Sequence, residues 1–184
     1  MNTWSLPKTA TIGGKQYSLN TDFRDVLEII RYLTDENRPM YMRWRIAIGL
    51  FFDQEVPEVY HQEAMQYLSD FISYGAQDSK PGPKLIDWEQ DANLIVGEVN
   101  KVAGCEIRSI PFVHWWTFLS YFQGIGEGQL STVVSIRKKK AQRKKLDKWE
   151  QEYYNTNKAV IDLKTEETED DRRIKEQIMR WLDG

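Results

Sequence analysis

The 184-residue chain has few of the residues on which several protein classes depend. It holds a single cysteine, Cys105, which excludes an internal disulfide framework. That cysteine and two histidines are too few for the usual structural zinc sites. No apolar run reaches the roughly 18 to 20 residues that span a membrane, and no basic segment followed by an apolar one opens the chain. We therefore expect a soluble intracellular protein without a membrane partner or a signal peptide.

The residues that could carry out chemistry also lack suitable neighbours in the sequence. His114 has no partner at a catalytic spacing, so we interpret it as a packed side chain bonded to a backbone carbonyl. Cys105 lies in no Cys-x-x-Cys motif or nucleophile elbow. The glycine-rich residues 124–128 lack the Lys-Ser/Thr of a phosphate loop and indicate a turn between helices. No catalytic residue, cofactor or metal is predicted, and we do not expect an enzyme.

What the chain does contain is typical of a helical globular protein. Hydrophobic residues make up 41% and charged residues 29%, which argues against disorder. Short alternating runs around Gly13 and Gly14 predict a β-hairpin over about residues 8–20. Helix-spaced apolar residues follow, with starts predicted at Thr21 or Asp22, Pro39, Pro57, Asp87, Pro111 and Ser131. The fold class is mainly α: one helical domain of about six to seven helices over residues 1–160, with the hairpin at its N-terminus.

The last segment differs in composition from the rest. Residues 161–184 begin with an acidic stretch and end in a short amphipathic pattern. Its apolar positions are spaced as on one helix face: Ile174, Ile178, Trp181 and Leu182. We predict an acidic linker followed by a C-terminal helix that docks weakly or only on a partner.

Two adjacent tryptophans, Trp115 and Trp116, lie in a segment that is apolar on nearly every side. A helix of this kind is normally the buried centre of its fold, because tryptophan is the largest side chain to cover. The same pattern places Met40, Trp44, Ala47, Ile48 and Phe51 on one face of the second helix. We expect the double tryptophan in the core and any binding surface on the helices around it.

A run of basic residues is the strongest charge feature. Within residues 137–148 only Asp147 opposes the cations, which are Arg137, Lys138, Lys139, Lys140, Arg143, Lys144, Lys145 and Lys148. Trp149, Tyr153 and Tyr154 follow, and basic residues near aromatic ones can bind nucleic acid. A solvated helix face, or a partner for the acidic stretch near residues 166–171, is a simpler explanation of the run. The net charge of −3 and the absence of a base-reading motif favour these simpler explanations.

Three separated groups of residues carry a resemblance to a known family. They are Asp91-Ala92 with Ile95, the segment His114-Trp115-Trp116-Thr117-Phe118, and Ile136-Arg137. Over roughly residues 20–160 the chain resembles a small phage family named after the fifteenth gene product of certain tailed phages of Gram-positive hosts. The C-terminal acidic segment has no counterpart in this resemblance, and no catalytic residue is implied.

The resemblance implies a tail-morphogenesis protein whose gene lies just before that of the tape measure protein, the place of tail assembly chaperones. Expected partners are the tape measure protein and the major tail protein, in the host cytoplasm, with self-association also typical of such chaperones. Covering a long apolar helical partner requires exposed apolar side chains, for which Trp44, Tyr60 and Trp149 are the candidates. The alternative is a nucleic-acid-binding phage protein that uses the basic helix 137–148.

Overall fold

A computed structural model describes residues 4–74 and 82–164. In these residues eight α-helices follow an N-terminal hairpin, so the predicted mainly α class is confirmed. The strands are β1 (Thr9–Ile12) and β2 (Lys15–Ser18). The helices are α1 (Phe23–Thr34), α2 (Met40–Phe51), α3 (His61–Ile72), α4 (Ala92–Ala103), α5 (Trp115–Gln123), α6 (Gln129–Ala141), α7 (Lys148–Thr156) and α8 (Lys158–Ile161).

The hairpin forms where the sequence predicts it. β1 pairs antiparallel with β2, with Ile12 opposite Lys15. Gly13 and Gly14 both have positive φ, +56° and +78°, as a two-residue hairpin turn demands. A Cβ on Gly13 would lie 2.5 Å from the ring of Tyr60, so this glycine also permits a close approach. Tyr60 thereby packs the hairpin against the chain just before α3.

Two helix N-termini meet beside the hairpin. Asp22 accepts a hydrogen bond from the Arg24 amide and so caps α1, which confirms one of the two predicted caps. Its other carboxylate oxygen accepts from the amide of Val113, just before α5. The stacked rings of Phe23 and Phe118, 4.6 Å apart at their centroids, then bind α1 to α5. One carboxylate therefore fixes both helix starts.

The double tryptophan lies in the core, as predicted. Trp115 and Trp116 are buried, and their indole N–H groups donate to the carbonyls of Ile72 and Phe71 at distances of 3.0 Å. These carbonyls belong to the last turn of α3, where a helix has no intrahelical donors left to offer. Both indoles therefore cap the C-terminus of a neighbouring helix while they fill the core.

The start of α5 differs from the prediction. The helix begins at Trp115 and not at Pro111, because buried His114 is its N-cap: Nδ1 accepts from the Trp116 amide at 3.1 Å. Nε2 lies 3.0 Å from the carbonyl oxygen of Pro7, which can only accept. These two bonds define the neutral imidazole with its proton on Nε2. The interpretation of His114 as a packed residue bonded to a carbonyl is confirmed.

We expect this arrangement to make part of the stability depend on pH. Burial lowers the pKa of His114, outweighing the rise caused by the bond to Pro7, and Lys8 lowers it further. The unfolded chain therefore binds a proton at His114 more readily than the folded chain does. The contribution of neutral His114 to the free energy of unfolding is complete above the unfolded pKa of 6.5, and it is lost as the pH falls through the folded pKa. Wild type should lose up to about 1.4 kcal/mol more than His114→Asn between about pH 7.5 and 5.5. Urea titrations of both proteins at the two pH values measure the loss in the free energy of unfolding. Equal losses in the two proteins would contradict the role assigned to His114.

Other helix starts are shifted for similar local reasons. Asp87 accepts from the amides of Glu89 and Gln90 and so closes a single turn, while α4 itself begins later, at Ala92. Pro57 opens a 3-10 turn, Glu58–Tyr60, before α3. In α2 the predicted buried face holds for Ala47, Ile48 and Phe51, but Met40 is 66% exposed. The first turn of α2 extends beyond the core that its later turns cover.

The glycine-rich residues 124–128 form the predicted turn, between α5 and α6. Gly128 leaves room there for the buried carboxylate of Glu98, since a Cβ would lie 2.7 Å from its Oε1. That carboxylate accepts from the Gln129 amide and is also paired with Lys101. A side chain of the protein thus occupies the anion-favouring N-terminus of α6.

A second, smaller core lies at the C-terminal end of the described residues. Val133 and Ile136 of α6 pack against Ile161 of α8. Leu94 of α4 contacts this group and the main core, which joins the two. The described fold continues to Lys164, whose amide donates to Gln90. The acidic stretch and the predicted C-terminal helix lie outside the described residues, and the division at residue 160 stays a prediction.

In the described part of the chain, no helix is both long and apolar enough to cross a membrane.

Candidate partner-binding surface

The basic run does not form one surface. Arg137, its first residue, is only 6% exposed and lies between α4, α6 and α8. Its guanidinium makes a two-pronged ion pair with Asp91, with distances of 2.6 and 2.9 Å. The remaining hydrogens go to the carbonyls of Leu85, Val160 and Ile161. Arg137 is therefore a structural residue, and its place in the predicted basic patch was wrong.

Two of the other cations are paired with carboxylates. Lys139 lies 2.5 Å from the buried Glu150 of α7, and Lys140 pairs with Asp162 after α8. Both pairs hold C-terminal elements on the end of α6. Five cations remain that form no ion pair with any carboxylate of residues 4–74 and 82–164: Lys138, Arg143, Lys144, Lys145 and Lys148. We call these five residues the basic face.

An exposed aromatic side chain adjoins the basic face. Trp149 is 58% exposed and follows Lys148 directly in the first turn of α7. Its ring stacks on that of Tyr153, with centroids 5.4 Å apart. Asp147 caps this turn, accepting from the Glu150 amide, so the position of the tryptophan is well defined. Trp149 is thus a large apolar group that is held in place and left open to contact.

A shallow concavity lies on the same side of the molecule. It encloses about 760 Å³ and is lined by residues of α6, of α7 and of the loop between them: Lys139, Lys145, Leu146, Asp147, Lys148, Gln151 and Glu152. Its lining combines one apolar side chain, Leu146, with three lysines and two carboxylates. Together with Trp149, this surface offers exposed apolar groups among charged side chains of both signs.

The loop beside it contains an unusual backbone conformation. Arg143 has a φ of +55°, in the left-handed region that glycine normally occupies. Its amide donates to Lys140, and the next amide, of Lys144, donates to Lys139. This is the pattern of a Schellman motif that ends α6, with arginine at the glycine position. The sequence keeps a cation here at a cost in backbone energy.

We therefore expect Arg143→Gly to stabilise the protein. The left-handed conformation costs about 1–2 kcal/mol for a residue with a Cβ, and the added freedom of glycine in the unfolded chain returns about 0.5–1 kcal/mol of that. The free energy of unfolding should rise by about 0.5–1 kcal/mol in urea titrations. Lys144→Gly removes the same charge at a position without positive φ and should lower it. If the free energy of unfolding fell in both variants, Arg143 would not be the left-handed residue that ends α6.

The other two predicted contact residues are placed differently. Trp44 is half-buried against the main core, and Tyr60 is 38% exposed and covers Gly13 of the hairpin. In the part of the chain that the structure describes, no ring contact joins either of them to Trp149. Sequence reasoning missed Met40 and Tyr41, which expose most of their surface at the start of α2. Only periodicity was available there, and it cannot tell where a helix leaves its core.

A comparison with family models identifies the chain. A family model described as Bacteriophage Gp15 protein matches residues 4–163. The chain belongs to this family. The Gp15 family is one of phage structural and morphogenesis proteins and is not known for catalysis. No curated protein and no solved structure matches the chain.

The structure also explains the separated residues that resembled the family. Asp91 and Arg137 are 46 positions apart in the sequence and form the buried ion pair. The His-Trp-Trp segment caps α5 and the C-terminus of α3. The residues of this chain on which the resemblance rests are thus ones that hold its helices together.

Proposed function

We propose that this Gp15 protein is a tail assembly chaperone that binds the tape measure protein during tail assembly, in the cytoplasm of the infected cell. Trp149 carries the proposal. A stacked, exposed tryptophan with charged side chains around it has the chemistry of a binding hot spot, because it removes much apolar area from water at a small entropic cost.

The client would supply the complementary surface. A tape measure chain is long, and as a helix outside the tail it would present an apolar stripe that requires cover. Further exposed apolar groups at the start of α2, Met40 and Tyr41, offer a second contact. The surface cations would keep the complex in solution. Contacts with the major tail protein, or between copies, belong to the same proposal.

Co-expression with the tape measure protein of the same phage tests it. We expect the two proteins to co-purify and the tape measure protein to become more soluble. Trp149→Ala should weaken binding by about 2 kcal/mol, or about 30-fold in Kd, as expected for a hot-spot residue. Phe112→Ala is the matched control, since Phe112 is also an exposed aromatic, at 51%, but belongs to the segment before α5 and not to α7. No co-purification and no gain in solubility would refute the function.

A nucleic-acid-binding protein is the second candidate. The observation in its favour is the basic face, whose five cations form no ion pair within the described residues and lie beside the stacked rings of Trp149 and Tyr153. It predicts binding to DNA that weakens steeply with salt. Changing Lys138, Lys144 and Lys145 to Glu should abolish that binding, whereas changing the same three to Arg should preserve it. Binding that is absent, or that ignores salt, would exclude this candidate.

A further inference from the structure

A groove outside the surface described above lies between α1 and the segment that precedes α4. It encloses about 450 Å³. Its apolar walls are Leu27 and Ile30 of α1 and Trp88, all half-buried. Trp88 packs inward on Trp115 and Phe122, so its other face is left for the groove. The groove therefore offers an unfilled apolar strip next to the core.

The described chain ends at the edge of this groove. Lys164 lines it, and the Lys164 amide donates to Oε1 of Gln90 at 2.9 Å. The nitrogen of the same Gln90 side chain, Nε2, donates to the carbonyl of Asp162 at 2.8 Å. The exit of the chain is thus fixed, and residues 165–184 start beside the groove.

These residues contain the apolar stripe predicted from the sequence: Ile174, Ile178, Trp181 and Leu182. A short helix of this kind is marginal in water unless its apolar face is buried. From first to last the stripe spans about 12 Å as a helix, and the groove wall from Leu27 to Thr34 spans about 10 Å. Nine residues, 165–173, link Lys164 to Ile174, which is ample to reach any point of the groove.

Charge is also suited to the contact. The groove is lined by four carboxylates, Glu28, Glu36, Asp87 and Glu89, and by three cations, Arg31, Lys84 and Lys164. Of these carboxylates, Glu36 is the one that forms no ion pair within the described residues. The stripe begins beside three cations, Arg172, Arg173 and Lys175, with Asp171 and Glu176 as the adjoining carboxylates. We propose that residues 174–182 of the same molecule dock as a helix in the groove, with the apolar stripe against Leu27, Ile30 and Trp88. The docked segment would cover apolar surface that is separate from the proposed client surface, so this inference does not depend on the chaperone function.

The test uses the full chain labelled with 5-fluorotryptophan and observed by fluorine NMR. Trp88→Phe and Trp181→Phe assign the two resonances. Ile178→Glu places a charge in the middle of the apolar stripe. It should shift the Trp88 resonance and give the Trp181 resonance the full solvent isotope shift of an exposed indole. Gln177→Glu introduces the same charge one position away, off the stripe, and should change neither.

Two results would overturn the proposal. One is a Trp88 resonance that Ile178→Glu leaves in place, with Trp181 already exposed in the wild type. The other is a shift that grows with protein concentration together with a doubled mass in light scattering, which would assign the groove to the segment of a second copy.

Discussion

Replacing Arg137 by methionine is expected to lower the free energy of unfolding by about 3–5 kcal/mol, because it leaves the carboxylate of Asp91 buried without its counter-charge. Both side chains of this pair are almost completely enclosed, with 5% and 0% of their surface exposed. The carbonyls of Val160 and Ile161 would lose their donors at the same time. Urea or thermal unfolding followed by circular dichroism measures the loss.

The neighbouring residue supplies the control. Lys138→Met removes the same charge from an exposed position and should change stability by no more than about 0.5 kcal/mol. Adding Asp91→Leu to Arg137→Met should recover much of the loss, since an apolar pair replaces an isolated buried charge. A small effect of Arg137→Met alone, equal to that of Lys138→Met, would show that the guanidinium is not held as the structure describes.

Trp115→Ala is expected to cost about 3–5 kcal/mol, the range for truncating a large buried aromatic side chain. The substitution empties the centre of the main core, where the indole contacts the rings of Trp88 and Phe118. It also removes the donor to the carbonyl of the partly buried Ile72 at the end of α3. Urea unfolding measures this loss in the free energy of unfolding, and the urea concentration at the midpoint should fall with it.

Trp149→Ala separates burial from residue type. It deletes the same side chain from an exposed site, so its effect on stability should stay near 0.5 kcal/mol or below even though it is the variant expected to weaken client binding. If Trp115→Ala were as mild as Trp149→Ala, the double tryptophan could not be the centre of the core.

Much of the fold follows from local patterns in the sequence. The two glycines of the hairpin, the Asp22 cap, the apolar stripe of α1 and the αL glycine at position 104 that ends α4 act within a few residues of themselves. Such features are visible in a sequence because their partners are sequence neighbours. The buried double tryptophan was predictable for a similar reason, since the apolar residues that follow it in the sequence belong to the same helix.

The candidate surface was less accessible to sequence reasoning. Of the three proposed contact residues only Trp149 is clearly open, while Trp44 and Tyr60 are engaged with the core and the hairpin. Within the basic run, the sequence could not show that Arg137 is buried and Lys138 exposed, because both are cations at adjacent positions of the same run. What distinguishes them is Asp91, which lies 46 positions away.

The sequence by itself determined the helical class, the hairpin, the buried double tryptophan and, through its recognisable residues, the family. Only the tertiary structure decided which helix starts shift, which cations remain open and what the two indoles bond to. The physical reason is that these outcomes depend on single long-range partners: the Pro7 carbonyl for His114, the end of α3 for the tryptophans and the Asp91 carboxylate for Arg137. No periodicity in a chain records such partners, because each is one contact between segments that only folding brings together.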